Sequence, residues 1–213
     1  MDKPTSAAQR LEARVLAMAG RHHPFASYYQ GKDLVADWVG QRPLVWAALL
    51  KPYRGDIKDV LEIGSLEGRS ALFWLNHIEN CTLVCADTFK KPEVEDRFDR
   101  NIRQFGARVR KMKGPSILAL GTLVTEQAAF DLIYVDGGHQ RDTVMIDMLA
   151  SWSLLRAGGI MLLDDYGWKP ELAPEHTPKQ AIDTFLDWHA DADIILKSYQ
   201  VALRKAPATA SKA

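Results

Sequence analysis

The spacing of apolar residues changes several times along the chain, and each change marks an element. Leu11, Val15, Leu16 and Met18 give residues 5–19 a rough helical stripe, which Arg21-His22-His23-Pro24 breaks. Gly40 and Pro43 bracket the start of a second helix, with Leu44, Val45, Ala48 and Leu49 expected on its buried face. Pro52 and Gly55 close that stretch. From Asp59 onward, short apolar runs alternate with amphipathic ones. Residues 59–63, 82–86, 108–112, 130–135 and 160–163 read as strands, and 69–78, 93–105, 117–124 and 142–155 as the helices between them. Gly158-Gly159 stands where a helix C-cap is expected. Thr177-Pro178 opens a last helix, with proline in its first turn, that reaches about residue 189. Residues 193–196 and 200–203 read as two final strands that fit a hairpin.

Strands alternating with helices imply an α/β fold: a mostly parallel sheet, here of seven expected strands, covered by helices on both faces. Residues 1–55 are expected to form an N-terminal helical cap on the same domain, 56–205 its core, and 206–213 a flexible tail of small and polar residues. The length of 213 residues, with 47% hydrophobic and 25% charged, fits one sizeable soluble domain. Lys+Arg and Asp+Glu both total 27, which argues against a protein whose main task is coating nucleic acid. No apolar run approaches the ~20 residues needed to cross a bilayer. The opening residues, Met1 to Ser6, lack the apolar segment of a secretory signal, so no membrane partner is expected. Cys81 and Cys85, four apart, are expected to be buried free thiols on one strand face, in keeping with a reducing cytoplasm.

In a sheet of this kind, ligands bind outside the carboxyl ends of the strands. After the first strand come Glu62-Ile63-Gly64-Ser65-Leu66-Glu67-Gly68-Arg69-Ser70. Glycines at 64 and 68 permit a tight turn, and the helix start behind them offers free N–H groups to an anion. The dinucleotide fingerprint requires glycine where Leu66 stands. The P-loop requires four residues between its glycines and a lysine where Arg69 stands. The remaining pattern is acid-x-Gly-x-x-x-Gly; the alternative is an ordinary strand-to-helix turn. Asp87 lies 23 residues past Gly64, at the distance where an acid accepts ribose hydroxyls, and equally where it caps a turn. Lys113-Gly114-Pro115-Ser116 is a turn and helix cap whose hydroxyl can also face an adenine edge.

The fourth and fifth strands end in Asp136-Gly137-Gly138-His139 and Asp164-Asp165-Tyr166. Carboxylates converging from two adjacent strands raise each other's pKa unless a cation intervenes, and such hard oxygen donors suit Mg²⁺ or Ca²⁺. His139 reaches the same mouth and can act as a general base, or serve as a helix-terminal hydrogen-bonding residue. The alternative for Asp164-Asp165 is a solvated turn. Trp38 and Trp168 flank this mouth, and the loop 168–177, with Pro170 and Pro174, is a candidate lid facing the acceptor.

With these residues in place, the sequence resembles the methyltransferase-24 family of class I S-adenosylmethionine-dependent methyltransferases. It is more distantly similar to catechol-type and metal-dependent sugar O-methyltransferases. The carriers are Asp37-Trp38, the run 60–70, the run 85–89, the run 130–139 and the run 158–166. The resemblance implies a Rossmann-like class I methyltransferase fold that binds S-adenosylmethionine. It implies cofactor contacts at Trp38, Glu62, Gly64, Ser65, Gly68, Ser70, Asp87, Thr88, Ser116 and Asp136. Ser70 would lie near the methionine carboxylate, Asp87 at the ribose and Ser116 beside the adenine. Asp136, Asp164 and Asp165 would hold a divalent metal such as Mg²⁺, and Asp136 and His139 would be the catalytic pair. The expected activity is metal-assisted O-methylation of a small-molecule hydroxyl by a chain that can form a homo-oligomer. The alternatives are a metal-independent methyltransferase using His139 alone and a non-catalytic protein that binds the cofactor or its demethylated product.

Overall fold

The computed structural model describes residues 24–207, with Arg10, Ala13 and Val15 as isolated helical positions before them. Apart from those three positions, the helix expected over residues 5–19 lies outside the described residues, as does most of the expected tail. Seven strands form one sheet: β1 (Asp59–Ile63), β2 (Thr82–Asp87), β3 (Val109–Lys113), β4 (Phe130–Val135), β5 (Leu155–Leu163), β6 (Asp193–Lys197) and β7 (Val201–Arg204). Their spatial order is β3-β2-β1-β4-β5-β7-β6. The first five strands run parallel. β7 is antiparallel to β5, and β6 is antiparallel to β7. The final hairpin therefore inserts its second strand beside β5.

Among the described residues, six α-helices cover the sheet: α1 (Arg42–Leu50), α2 (Arg69–His77), α3 (Pro92–Ile102), α4 (Ser116–Thr125), α5 (Arg141–Leu154) and α6 (Lys179–Trp188). One core layer joins Trp46 and Leu50 of α1, Phe73 and Trp74 of α2 and Phe98 of α3 to Val60, Leu83, Leu132 and Leu162 of the sheet. The other joins Leu120 of α4, Met148 of α5 and Phe185 of α6 to Leu61, Ile133, Met161 and Leu203. Adjacent strand residues face opposite layers, as the pleat requires, and both layers are apolar because helices bury both faces of a parallel sheet.

Four expectations on local structure are corrected. Of the face expected for α1, Val45 is buried but Leu44, Ala48 and Leu49 are only partly so; Pro43, Trp46 and Leu50 complete the buried face. Trp46 sets the helix's rotation: its ring lies 4.5 Å from that of Trp74, and its Nε1 donates to Gln200 Oε1 at 2.9 Å. The pair Gly158-Gly159 is not a C-cap, because α5 ends at Leu154 and Leu155 is already extended. The glycines lie inside β5, where the pairing with β4 shifts register. A side chain at 159 would meet the Asp131 carbonyl at 3.0 Å, so the need there is close backbone approach. The charged helix expected over 93–105 ends at Ile102 and passes into a 3₁₀ turn, Arg103–Arg108. Cys81 precedes β2 rather than lying in it; both cysteines are buried and free.

Candidate active site

The carboxyl ends of β1 to β5 open into one cleft of about 920 Å³. Trp38, Gly64, Ser65, Ser70, Asp87, Thr88, Ser116, Asp136, His139, Asp164 and Asp165 all line it. Glu62 and Gly68 do not: both lie beneath the glycine turn rather than on the cleft wall. Gly68 is the left-handed residue before α2, with φ of 86° and Phe98 against it.

Asp87 holds the turn together. Its Oδ2 accepts the backbone N–H groups of Ser65 and Leu66, each at 2.9 Å, and its Oδ1 accepts that of Phe89 at 2.8 Å. The same carboxylate thus fixes the end of β2 to the loop after β1, and three backbone donors leave it little remaining capacity. The segment before α1 is docked on this turn. Glu67, 4% exposed, accepts Val35 N at 2.7 Å and Ala36 N at 3.2 Å, and its other oxygen pairs with Arg97 at 3.1 Å. Asn101 ties Asp33 to the Glu67 carbonyl. These bonds set Trp38, 80% exposed, on the rim of the cleft. Asp37 turns away to accept Gly40 N at 2.8 Å and to pair with Arg69.

Glu62 is fully buried; Oε2 accepts Trp74 Nε1 at 2.8 Å, and Oε1 has no partner. Burial, only partly offset by hydrogen bonds from Ser65, Ser70 and Trp74, pushes its carboxyl up to about 7. A folded-state pKa raised above the unfolded value means that the folded protein holds more protons between the two. That contribution to stability is full below about pH 4.5 and is lost as pH rises through about 7. Glu62→Gln removes this part of the slope. Urea unfolding at pH 5 and pH 8 is expected to show a stability difference between the two pH values that is smaller in the variant by roughly 2–3 kcal/mol. An identical pH dependence in both proteins would refute the shift.

At the ends of β4 and β5, one ligand atom from each of Asp136, His139 and Asp165 lies within 4.8 Å of the other two. His139 Nε2 sits 2.7 Å from Asp165 Oδ2, and Asp165 Oδ1 accepts from Tyr199 OH at 2.8 Å. The Trp168 ring lies against the His139 ring, centroids 4.5 Å apart. Asp164, expected as the third carboxylate of a metal set, lies behind this group. It accepts from the Tyr134 hydroxyl, and its Oδ1 accepts its neighbour's N–H at 2.7 Å. The same Tyr134 oxygen also lies 2.9 Å from Asp136 Oδ2, so its single proton is placed between the two carboxylates. Burial first, and then the neighbouring carboxylates Asp164 and Asp165, push the Asp136 carboxyl well above the usual carboxylate range. Burial likewise raises that of Asp164. The loop after Trp168 is pinned by a 3₁₀ turn, Pro174–His176, whose His176 Nδ1 lies 2.9 Å from Gln140 Oε1.

Tyr134, Tyr199 and Asp147 were not singled out by sequence reasoning, although all three bear on this cleft. Tyr199 comes from the hairpin, 34 residues after Asp165, where no short motif points. Asp147 had a visible signal: it occupies the core phase of α5, between the buried Val144 and Met148.

A family profile described as a methyltransferase domain matches residues 61–166, which spans β1 to the acidic turn after β5. An uncharacterised protein of Acanthamoeba polyphaga mimivirus is 25% identical over 134 residues, 59% of this chain and 61% of the viral one. The O-methyltransferase TomG of Streptomyces achromogenes, solved with S-adenosylmethionine, superposes with a TM-score of 0.63 at 17% identity, covering 95% of this chain and 100% of TomG. MycE of the mycinamycin biosynthetic pathway, solved with Mg, S-adenosylhomocysteine and mycinamycin VI, gives 0.62 at 18%, covering 86% of this chain and 53% of MycE. The chain thus spans about six-tenths of the viral protein and about half of MycE. At these identities the superpositions speak for the fold, while the profile match speaks for the domain. Among the described residues, no helix is long and apolar enough to cross a membrane. Residues 61–166 match the methyltransferase domain of the methyltransferase-24 family, on a fold shared with these solved methyltransferases.

Proposed function

We propose that the protein methylates a hydroxyl of a small-molecule acceptor and that a divalent cation held at Asp136 and Asp165 assists. The observation that carries this reading is the convergence of Asp136, His139 and Asp165 on the same cleft that the glycine turn opens. The cleft fits S-adenosylmethionine: its volume is within the range of small-molecule pockets, about 300–1,000 Å³. The turn also brings Gly64, Ser65 and Ser70 to it. The acid cluster fits a hard cation, because carboxylate oxygens crowded in a buried place are relieved by a positive charge between them.

When bound, the cofactor supplies a methyl group on a sulfonium, and the cation supplies Lewis acidity toward an acceptor oxygen. The chain's own residues do the rest. The Gly64 turn would hold the cofactor, and Asp87, which orders that turn, would meet its ribose with the acceptor capacity it has left. Asp136 and Asp165 would hold the cation, with Tyr134 linking Asp136 to Asp164 behind them. His139 takes the acceptor's proton at a ring nitrogen, its plane set by Trp168. Trp38, on the rim, covers the acceptor.

The 2.7 Å pair between His139 and Asp165 favours a second reading, in which this dyad is the base and no cation takes part. Calorimetric titration with S-adenosylmethionine, once with Mg²⁺ and once with EDTA, is expected to show binding in both. A screen of phenolic and sugar hydroxyls with metal present then supplies an acceptor. Turnover on it is expected to fall about tenfold or more on chelation and to return with Mg²⁺ or Mn²⁺. Turnover indifferent to chelation would transfer the proposal to the second reading, and no cofactor binding would overturn both.

A further inference from the structure

Arg42, the first residue of α1, lines the cleft and is half-buried. Its guanidinium carbon lies 4.1 Å from the centre of the Tyr199 ring. Tyr199 donates its hydroxyl to Asp165 at 2.8 Å, and Asp165 stands 2.7 Å from His139 Nε2. His139, Asp165, Tyr199 and Arg42 therefore follow one another along the cleft, with a single ring between the acid and the guanidinium. Backbone bonds hold both ends of this row: Gly167 N donates to Tyr199 O at 3.1 Å, and Arg42 N to Val39 O at 3.0 Å. Among the described residues, the lysines and arginines that line the cleft are Arg42, Arg69 and Lys90. Arg69 is tied to the segment before α1, donating to Ala36 O at 3.2 Å and pairing with Asp37. Lys90 follows β2, on the Asp87 side. The cation beside the His139–Asp165 end is Arg42, and its field reaches that end. Burial first, and then Asp165, raise the Tyr199 hydroxyl, while Arg42 opposes the rise.

We infer that Arg42 is a specificity-determining residue that pairs with a carboxylate of the acceptor, which makes the acceptor an aromatic hydroxy acid. The inference rests on the reading of His139 and Asp165 as the place where the acceptor hydroxyl reacts. A hydroxyl at His139 and a carboxylate at Arg42 are a ring's breadth apart, the interval that Tyr199 itself spans between Asp165 and Arg42. Trp38, Trp168 and Tyr199 line this part of the cleft, which suits a flat ring between the two groups. Stacking uses the face of a guanidinium; its N–H donors lie in its plane, the geometry that grips a carboxylate through two parallel bonds. A negative group brought this near Asp165 would otherwise be repelled, so the selection falls on Arg42.

The test uses a matched pair of probes, 3-hydroxybenzoate and 3-hydroxybenzyl alcohol, which share the ring and the phenol and differ in the charged group. Each is titrated by calorimetry into the full chain saturated with S-adenosylhomocysteine and Mg²⁺. Wild type is expected to bind the acid about tenfold or more tightly than the alcohol, the scale of hydrogen bonds to a charged group. Arg42→Gln should bind both probes at the level wild type shows for the alcohol, and its binding of S-adenosylhomocysteine verifies that it folds. Arg42→Lys keeps the charge without the fork and should fall between. Equal binding of the two probes by wild type, or binding of neither, overturns the inference while leaving the methyltransferase reading intact. So does an undiminished preference for the acid in Arg42→Gln. Failure of wild type to bind S-adenosylhomocysteine overturns the reading and the inference with it.

Discussion

His139→Ala is expected to lower methyl transfer by about 10²–10⁴-fold while S-adenosylmethionine affinity changes by less than about threefold. Two groups orient the imidazole: Asp165 on Nε2, and Trp168 against its face. Tyr199, bonded to Asp165, holds the carboxylate that holds the ring. A side chain so constrained is spent on orientation, and what needs orientation here is a proton acceptor for an otherwise poorly nucleophilic hydroxyl. The glycine turn and Asp87, which would carry the cofactor, make no hydrogen bond to it, so binding and chemistry should separate in this variant. The measurement is transfer of labelled methyl to the acceptor, paired with calorimetry on the same preparation. Recovery of activity on adding free imidazole would identify the loss as that of a base. Retained turnover in the variant would remove His139 from the mechanism under either reading of the cation.

The fold was legible because burial on both sides leaves the parallel strands as nearly uninterrupted apolar runs. Asp59–Ile63 and Phe130–Val135 fall where the pattern places them. The acids at the strand ends were legible for a related reason: polar residues that follow an apolar strand directly must lie at the sheet's edge, and the sheet gathers those ends at one cleft. What escaped depended on partners distant in sequence. The rotation of α1 is decided by Trp46 meeting Trp74 and Gln200, and no local stripe records that. Gly158-Gly159 has the composition of a helix end, yet the nearby Asp131 carbonyl is what demands glycine at 159. The cluster's membership also shifted. Asp164 and Asp165 are equivalent as letters, but β5 ends at Leu163 and the chain turns at Asp165, whose φ is 59°. One meets Tyr134 and the other His139 and Tyr199. The family resemblance places Glu62 at the cofactor. Instead, its phase on β1 turns it into the layer that holds Trp74.

Gly64→Ala is expected to destabilise the protein by about 2–5 kcal/mol, the sum of a left-handed backbone penalty and overpacking. Gly64 has φ of 87°, and a β-carbon there would lie 1.9 Å from the Asp136 carbonyl oxygen and 2.9 Å from Gly137 Cα. Both obstacles are backbone, so no side chain can swing aside to relieve them. Nor can the strands part readily, because Asp136 N donates to Ile63 O at 2.8 Å and Gly64 N to Ala86 O at 2.9 Å. At roughly 2–4 °C per kcal/mol for a chain of this size, the melting temperature should fall by about 4–20 °C. The same displacement moves Asp136 away from His139 and Asp165, so cofactor affinity and turnover are expected to fall together. That separates this variant from His139→Ala, where only turnover falls. Gly55→Ala is the control. Nothing lies within 4 Å of a β-carbon at Gly55, and its melting temperature should match wild type within the effect of an ordinary surface change, about 0.5 kcal/mol. If Gly64→Ala melts with wild type and binds the cofactor as well, then the loops after β1 and β4 are not in the contact on which the active-site geometry depends.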